Sequence, residues 1–148
     1  MDVHRYYPKL YLAEVSRSIS SPEDWRNTPG LEDLSSPGFY SASFDFQDTG
    51  DEKRYFLTFE RVCDRADITL NGTPLPPLLV MPWQIEITGL IRQGKNDLRI
   101  KVTPTLCNQL VAYAKQGKNG YKQYKRQTTM PAGLIGKVQI CTFRNPNL

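Results

Sequence analysis

Apolar residues recur at every second position along most of this chain. In "FYSASFDF" (39–46), Tyr40, Ala42, Phe44 and Phe46 fall on one face and Ser41, Ser43 and Asp45 on the other, the period of a half-buried strand. "ADITL" (66–70) sends Ala66, Ile68 and Leu70 inward, "QIEIT" (84–88) sends Ile85 and Ile87, and "DLRIKV" (97–102) sends Leu98, Ile100 and Val102. "RYFLTFERV" (54–62) carries aromatic residues on both faces, and "GKVQICTF" (136–143) pairs Val138 with Ile140. With "KLYLAEV" (9–15) and a short extended piece after Asn71-Gly72, the pattern predicts about eight strands. Gly50, Gly72, Gly89, Gly94 and Gly136 punctuate the runs, as turns require. Pro74, Pro76 and Pro77 cannot donate to a ladder, so 73–79 is an edge or a loop. Short strands at this spacing predict an all-β sandwich or barrel, and no βαβ rhythm supports a doubly wound sheet.

Two segments break the period. "SPEDW" (21–25) has Ser21 at an N-cap position, Pro22 at the first helical position and acids in the first turn, which predicts one or two turns of helix. "TLCNQLVAYAKQG" (105–117) sets Leu106, Leu110 and Ala114 at helical spacing and closes on Gly117, a natural residue just past a helix end. Residues 117–133 then read as a mobile basic loop.

"ITLNGTPL" (68–75) has two readings. Asn71-Gly72-Thr73 is a glycan acceptor pattern. Asn71-Gly72 is also the dipeptide of a type I′ hairpin turn, which needs positive φ at both central residues. Pro74 after Thr73 disfavours the glycan, so the turn is the reading taken here.

With 148 residues, the chain suits one domain with a sizeable core. Apolar residues at 39% and charged residues at 23% fit a globule and argue against disorder. No apolar run approaches the ~18 residues of a membrane span, and "MDVHRYYPKLYL" lacks the apolar core of a signal peptide. Cys63, Cys107 and Cys141 match no metal spacing or disulfide framework and read as reduced residues in or near the core. Charge is lopsided: residues 75–148 hold only two acids, Glu86 and Asp97, against eleven lysines and arginines. Five of those cations lie between Lys115 and Arg126. Such a stretch fits a nucleic-acid surface, a solvated loop or an acidic neighbouring domain.

Catalytic chemistry has few candidates. His4 is the single histidine, and a hydrolytic triad would have to use it. The many acids of the first half, from Asp45 to Asp67, sit at outward or turn positions and read as a solvated face rather than a glycosidase pair. Binding chemistry has more. Sugar sites use aromatic faces and planar polar groups; Trp83 and Gln84 in "VMPWQIE", Trp25 in "PEDWRN" and Tyr113 beside the basic loop supply them. Either tryptophan can instead cap the core. Interleaved Tyr and Lys over 113–126 would also suit single-stranded nucleic acid, but no nucleic-acid motif accompanies them.

"GFYSASFDF", "FERVCDRADITLNGTPL" and "MPWQIEITGLIRQGKNDLRIKV" together resemble the jelly-roll sugar-binding domain of glycoside hydrolase family 2 over about residues 24–103. "TPTLCNQL" followed by "AGLIGKVQI" is similar to the C-terminal sandwich of rhamnosidase-type enzymes related to family 106, with Lys137 and Pro104 where those have Pro and Asn. The resemblance implies a galactose-binding-like jelly roll, with the catalytic carboxylates on a separate barrel. In the galactosidases the sandwich lends an Asn and an Asp to the substrate; by position these fall at Ser35 and Leu78.

The expectation is therefore an all-β jelly-roll β-sandwich of about eight strands with one or two short helices. It forms a single domain over 1–148 with its core match at 24–143, part of a larger glycosidase. Its expected role is non-catalytic: a carbohydrate-binding or accessory domain, with Trp83, Trp25, Gln84 and Tyr113 as sugar contacts and no catalytic residue, cofactor or metal. The expected partners are carbohydrate and the parent chain's catalytic domain, not nucleic acid or membrane. The alternative is a scaffold that packs on that barrel and binds nothing. No localisation is assigned: a periplasmic or secreted parent enzyme is plausible, and this stretch holds no signal peptide.

Overall fold

A computed structural model describes residues 12–20, 22–48 and 53–144; His4, the first residues of the expected strand at 9–15, Ser21 and Gly50 lie outside them. Among the described residues, eight strands form two antiparallel four-stranded sheets. Those of the first sheet are β1 (Leu12–Ser20), β3 (Lys53–Cys63), β6 (Gln84–Glu86) and β8 (Gly133–Arg144), in the order β1-β8-β3-β6. The second sheet holds β2 (Gly38–Phe46), β4 (Arg65–Leu70), β5 (Thr73–Pro74) and β7 (Gly94–Thr103), in the order β2-β7-β4-β5. This is the all-β sandwich that the alternation predicts.

The alternating residues meet between the sheets. Tyr55, Leu57 and Phe59 of β3 and Val138 and Ile140 of β8 face Ile68 and Leu70 of β4 and Leu98, Ile100 and Val102 of β7, all buried in one cluster. Phe46 closes it edge-on to Tyr55, ring centroids 4.8 Å apart at 81°, a favoured aromatic geometry. Pro74 sits in the edge strand β5, where a missing donor costs nothing. A bulge interrupts β3 against β8 between Phe59 and Arg61. Gly136 sits in it at φ +80°, a conformation side chains rarely adopt, and a Cβ there would also run into the Glu60 side chain; the Glu60 carboxylate accepts the Lys137 N–H at 2.8 Å.

The helices differ from expectation in detail. The first is a single 3₁₀ turn at Trp25–Asn27 capped by Asp24, whose side chain accepts the Arg26 N–H; Pro22 precedes it. The Arg26 side chain donates to the same carboxylate. The second, α1 (Cys107–Lys115), buries Asn108, Val111, Ala112 and Ala114, while Leu106 is 59% exposed. The stripe is thus displaced from the expected Leu106–Leu110–Ala114 line. Two bonds close α1, Lys118 N–H to Tyr113 O at 3.0 Å and Gly117 N–H to Ala114 O at 3.1 Å, with Gly117 at φ +73°; this is a Schellman end. The basic stretch beyond it contains a further 3₁₀ turn at Lys122–Tyr124.

The hairpin tip is built as read. Asn71 has φ 50° and Gly72 φ 81°, the left-handed pair of a type I′ turn. The Asn71 amide donates to Leu90 O at 3.0 Å and to the Asn96 Oδ1 at 2.8 Å, and its Oδ1 accepts the Asp97 N–H at 2.9 Å. Asn71 is thus engaged on both sides of its amide, as a structural clasp.

Candidate functional site

One end of the sandwich is organised around Trp25, which is 4% exposed. A Cβ on Gly38 or Gly133 would collide with its indole, so the two glycines form the cradle of the ring. The indole N–H donates to the Tyr40 hydroxyl at 2.6 Å, and the same hydroxyl accepts the Leu134 N–H at 3.1 Å. This gives the Gly-x-Tyr pattern a physical meaning: Gly38 admits the indole and Tyr40 holds it. Asp24 beside it accepts from the Arg26 side chain and backbone and from the Ala132 N–H. Burial alone would raise its carboxyl, but the Arg26 and Ala132 hydrogen bonds and the Arg26 charge outweigh burial and hold it below its usual value. Asn108 ties α1 to the same end, donating to Met130 O at 2.8 Å and accepting the Met130 N–H at 2.7 Å.

The positions aligned with sugar contacts are spent on the fold. Ser35 is 7% exposed and its Oγ accepts the Gln109 N–H at 3.2 Å. Leu78 is 8% exposed, in the core, and bridges Ala66 through the backbone.

Trp83 and Gln84 lie at the edge formed by β6. Trp83 is half-buried against the core, and its carbonyl accepts the Phe59 N–H at 2.9 Å. Its indole N–H is buried with no partner among the described residues. Gln84 stands opposite Thr58. Just before them Leu79, Val80 and Met81 are 55%, 75% and 71% exposed. Tyr113 is elsewhere, on α1. Its ring meets Tyr121 at 5.1 Å, Lys118 Nζ lies 3.6 Å above it, and Gln109 donates to its hydroxyl at 3.0 Å. Lys115, Lys118, Lys122, Lys125 and Arg126 around it are all exposed. The structure thus keeps Trp83 with Gln84, places Tyr113 in a separate aromatic and basic cluster, and buries Trp25.

The acids have specific duties. Arg65 holds Asp67 through two nitrogens and lowers its carboxyl pKa. Arg54 bonds Glu86 and lowers that one too. Asp64 accepts the Thr105 N–H at 3.0 Å, and Asp48 accepts the Tyr55 hydroxyl. Cys63 is buried and its thiol pKa is pushed up by that burial, the state of an inert structural cysteine. One surface was missed by reading for tryptophans. Phe39 is 79% exposed on the outer face of the second sheet. The strand parity signals it, since Phe39 shares that face with Ser41 and Ser43.

Two antiparallel four-stranded sheets, an Asn-Gly hairpin clasped by a buried Asn, and a glycine-cradled tryptophan at one end define a jelly-roll domain of the galactose-binding-like kind. Residues 35–140 match the family described as glycosyl hydrolase 2 galactose-binding domain-like, and the chain belongs to that family. Among solved structures it is similar to a rhamnosidase from Novosphingobium sp. PP1Y, with 22% identity and a TM-score of 0.73 over 87% of this chain and 15% of that one. A family 2 β-galacturonidase from Eisenbergiella tayi is 13% identical, with a TM-score of 0.59 over 90% of this chain and 25% of that one. At these identities the likeness speaks for the fold. A Formosa agariphila protein named "Putative beta-glucuronidase" is 27% identical over 51% of this chain. The chain spans 9% of that relative's length.

Proposed function

We propose that the chain is a non-catalytic accessory domain that holds carbohydrate for a glycoside hydrolase whose catalytic carboxylates lie on a separate domain. The observation that carries this reading is the commitment of five of its described carboxylates. Asp24, Glu60, Asp64, Asp67 and Glu86 each bind an arginine or a backbone N–H of the fold. Trp83 and Gln84 then offer an aromatic face and a planar amide at an edge, with Tyr113 and Gln109 as a second pair on α1. Trp25 supports the sandwich end from beneath. The exposed run Leu79–Val80–Met81 favours a second reading, a scaffold whose apolar edge packs on the catalytic domain.

Titration calorimetry of the purified chain against a panel of neutral oligosaccharides tests the choice. Under the first reading binding is at most millimolar, nearly independent of salt because stacking and neutral hydrogen bonds are weakly screened, and abolished by Trp83→Ala with the circular dichroism spectrum retained. Oligonucleotides at about 0.15 M salt give no detectable heat. No binding to any glycan favours the scaffold.

A further inference from the structure

The outer face of the second sheet carries an arrangement that the edge site does not use. Its register sets residues in cross-strand rows: Phe39, Lys101 and Asp67 in one, Ser41, Arg99 and Thr69 in the next, then Ser43 with Asp97. Rows two residues apart on a strand are separated by roughly 6.5–7 Å and neighbouring strands by roughly 4.8 Å, so Phe39 and Arg99 are diagonal neighbours. They line an open concavity of about 500 Å³ with Ser41, Asp67, Thr69 and Lys101. Arg99 is the unusual member. Nearby carboxylates are already engaged, Asp67 by Arg65 and Asp97 by the Ser43 hydroxyl at 2.6 Å. Among the described residues Arg99 has no hydrogen bond or ion pair. An unpaired guanidinium between two hydroxyls, one row from a phenyl ring that is 79% exposed, is a recognition set without an occupant.

We propose that this face is a platform for a uronic-acid residue of an acidic polysaccharide. The C–H side of the sugar ring lies on Phe39, and the carboxylate takes both nitrogens of the Arg99 fork. Ser41 and Thr69 flank the carboxylate with hydroxyls, and Lys101 adds a second cation. The guanidinium matches a carboxylate in plane and spacing, which a lysine cannot do. The carboxylates on the same face favour a partner that brings hydroxyl donors beside its own charge: a DNA backbone, which has none, would set bare phosphates against Asp67 and Asp97. A uronate presents one carboxylate per ring with neutral hydroxyls around it, which those two acids can accept. This inference rests on the carbohydrate reading above but uses a different surface from Trp83.

The test is calorimetry of the 148-residue chain with tetragalacturonate, its methyl ester, a neutral galacto-oligosaccharide and an oligonucleotide. The acid form is expected to bind about tenfold or more tightly than the ester, which keeps the rings and removes the charge. Arg99→Ala and Arg99→Lys should each remove most of that preference, and Phe39→Ala should weaken binding where Phe39→Trp keeps it. These side chains are exposed, so the variants stay folded. Lys118→Ala, in the basic stretch, should leave the affinity unchanged. Equal binding of acid and ester, no loss in Arg99→Ala, an equal loss in Lys118→Ala, or tighter binding of the oligonucleotide would each overturn the proposal. Neutral-glycan binding that Trp83→Ala abolishes, with no uronate preference, removes this inference alone. A uronate preference that needs Arg99, with neutral binding indifferent to Trp83, keeps it and removes the edge site.

Discussion

Replacing Asn96 by alanine should be among the most damaging single changes outside the apolar core. Asn96 is 0% exposed. Its amide donates to Arg92 O at 2.7 Å and Gly94 O at 2.9 Å. Its carbonyl accepts the Arg92 N–H at 2.9 Å and the Asn71 amide at 2.8 Å. One side chain therefore closes the Arg92–Gly94 turn and clasps the neighbouring hairpin. A net 0.5–1.5 kcal/mol for each of four bonds gives a span of about 2–6 kcal/mol. Two of the stranded partners have an alternative: the Asn71 amide keeps Leu90 O, and the exposed Arg92 segment can reach water. The expected cost is therefore about 3 kcal/mol, a large share of the ~5–15 kcal/mol of an ordinary domain. Urea unfolding should show a lower midpoint with an unchanged slope, and calorimetry a melting point lower by about 6–12 °C. Asn96→Asp keeps the acceptors but turns an anionic oxygen on two carbonyls, and should cost at least as much at neutral pH. In a double-mutant cycle with Asn71→Ala the coupling should be about 1 kcal/mol. A loss below about 0.5 kcal/mol for Asn96→Ala, the size of an ordinary surface change, would refute the view that this amide holds the two turns together.

Gly38→Ala and Gly133→Ala should each cost about 1–3 kcal/mol by driving a methyl into the Trp25 indole, with Gly133 the worse because its φ is +88°; urea unfolding and tryptophan fluorescence report both. Thr73→Ala removes the acceptor pattern but not the turn, so it should cost less than about 0.5 kcal/mol, and mass spectrometry of the unsubstituted chain from a glycosylating host should show no N-acetylhexosamine on Asn71. Asp24, Asp67 and Glu86 have carboxyl pKa values lowered in the fold. Their stabilisation is present above the unfolded pKa near 4 and is lost as pH falls through the lower folded values. Unfolding free energy measured from about pH 5 down to about pH 2 should therefore fall, and Asp24→Asn should flatten the fall; an unchanged slope would remove Asp24 from the account.

The strands were legible in the chain because burial between two sheets imposes a period of two, which Ala66–Ile68–Leu70 and Leu98–Ile100–Val102 follow without exception. The hairpin was legible because positive φ at two successive residues is a local demand that Asn71-Gly72 meets locally. The helix after β7 was legible from its length and from Gly117, but its buried side was not: which face turns inward depends on the Met130 backbone that Asn108 must reach. Trp25 shows the limit most clearly. A tryptophan in a turn reads equally as a sugar platform or a core cap, and the choice lies with two glycines far from it in sequence, Gly38 and Gly133, and a hydroxyl at Tyr40 that only strand pairing brings together. Arg99 is the same kind of case. Alternation puts it on the outer face, but whether its charge is free depends on Asp67 being taken by Arg65 on its own strand and Asp97 by Ser43 across the β2–β7 register, and the second pairing is one that no single strand decides.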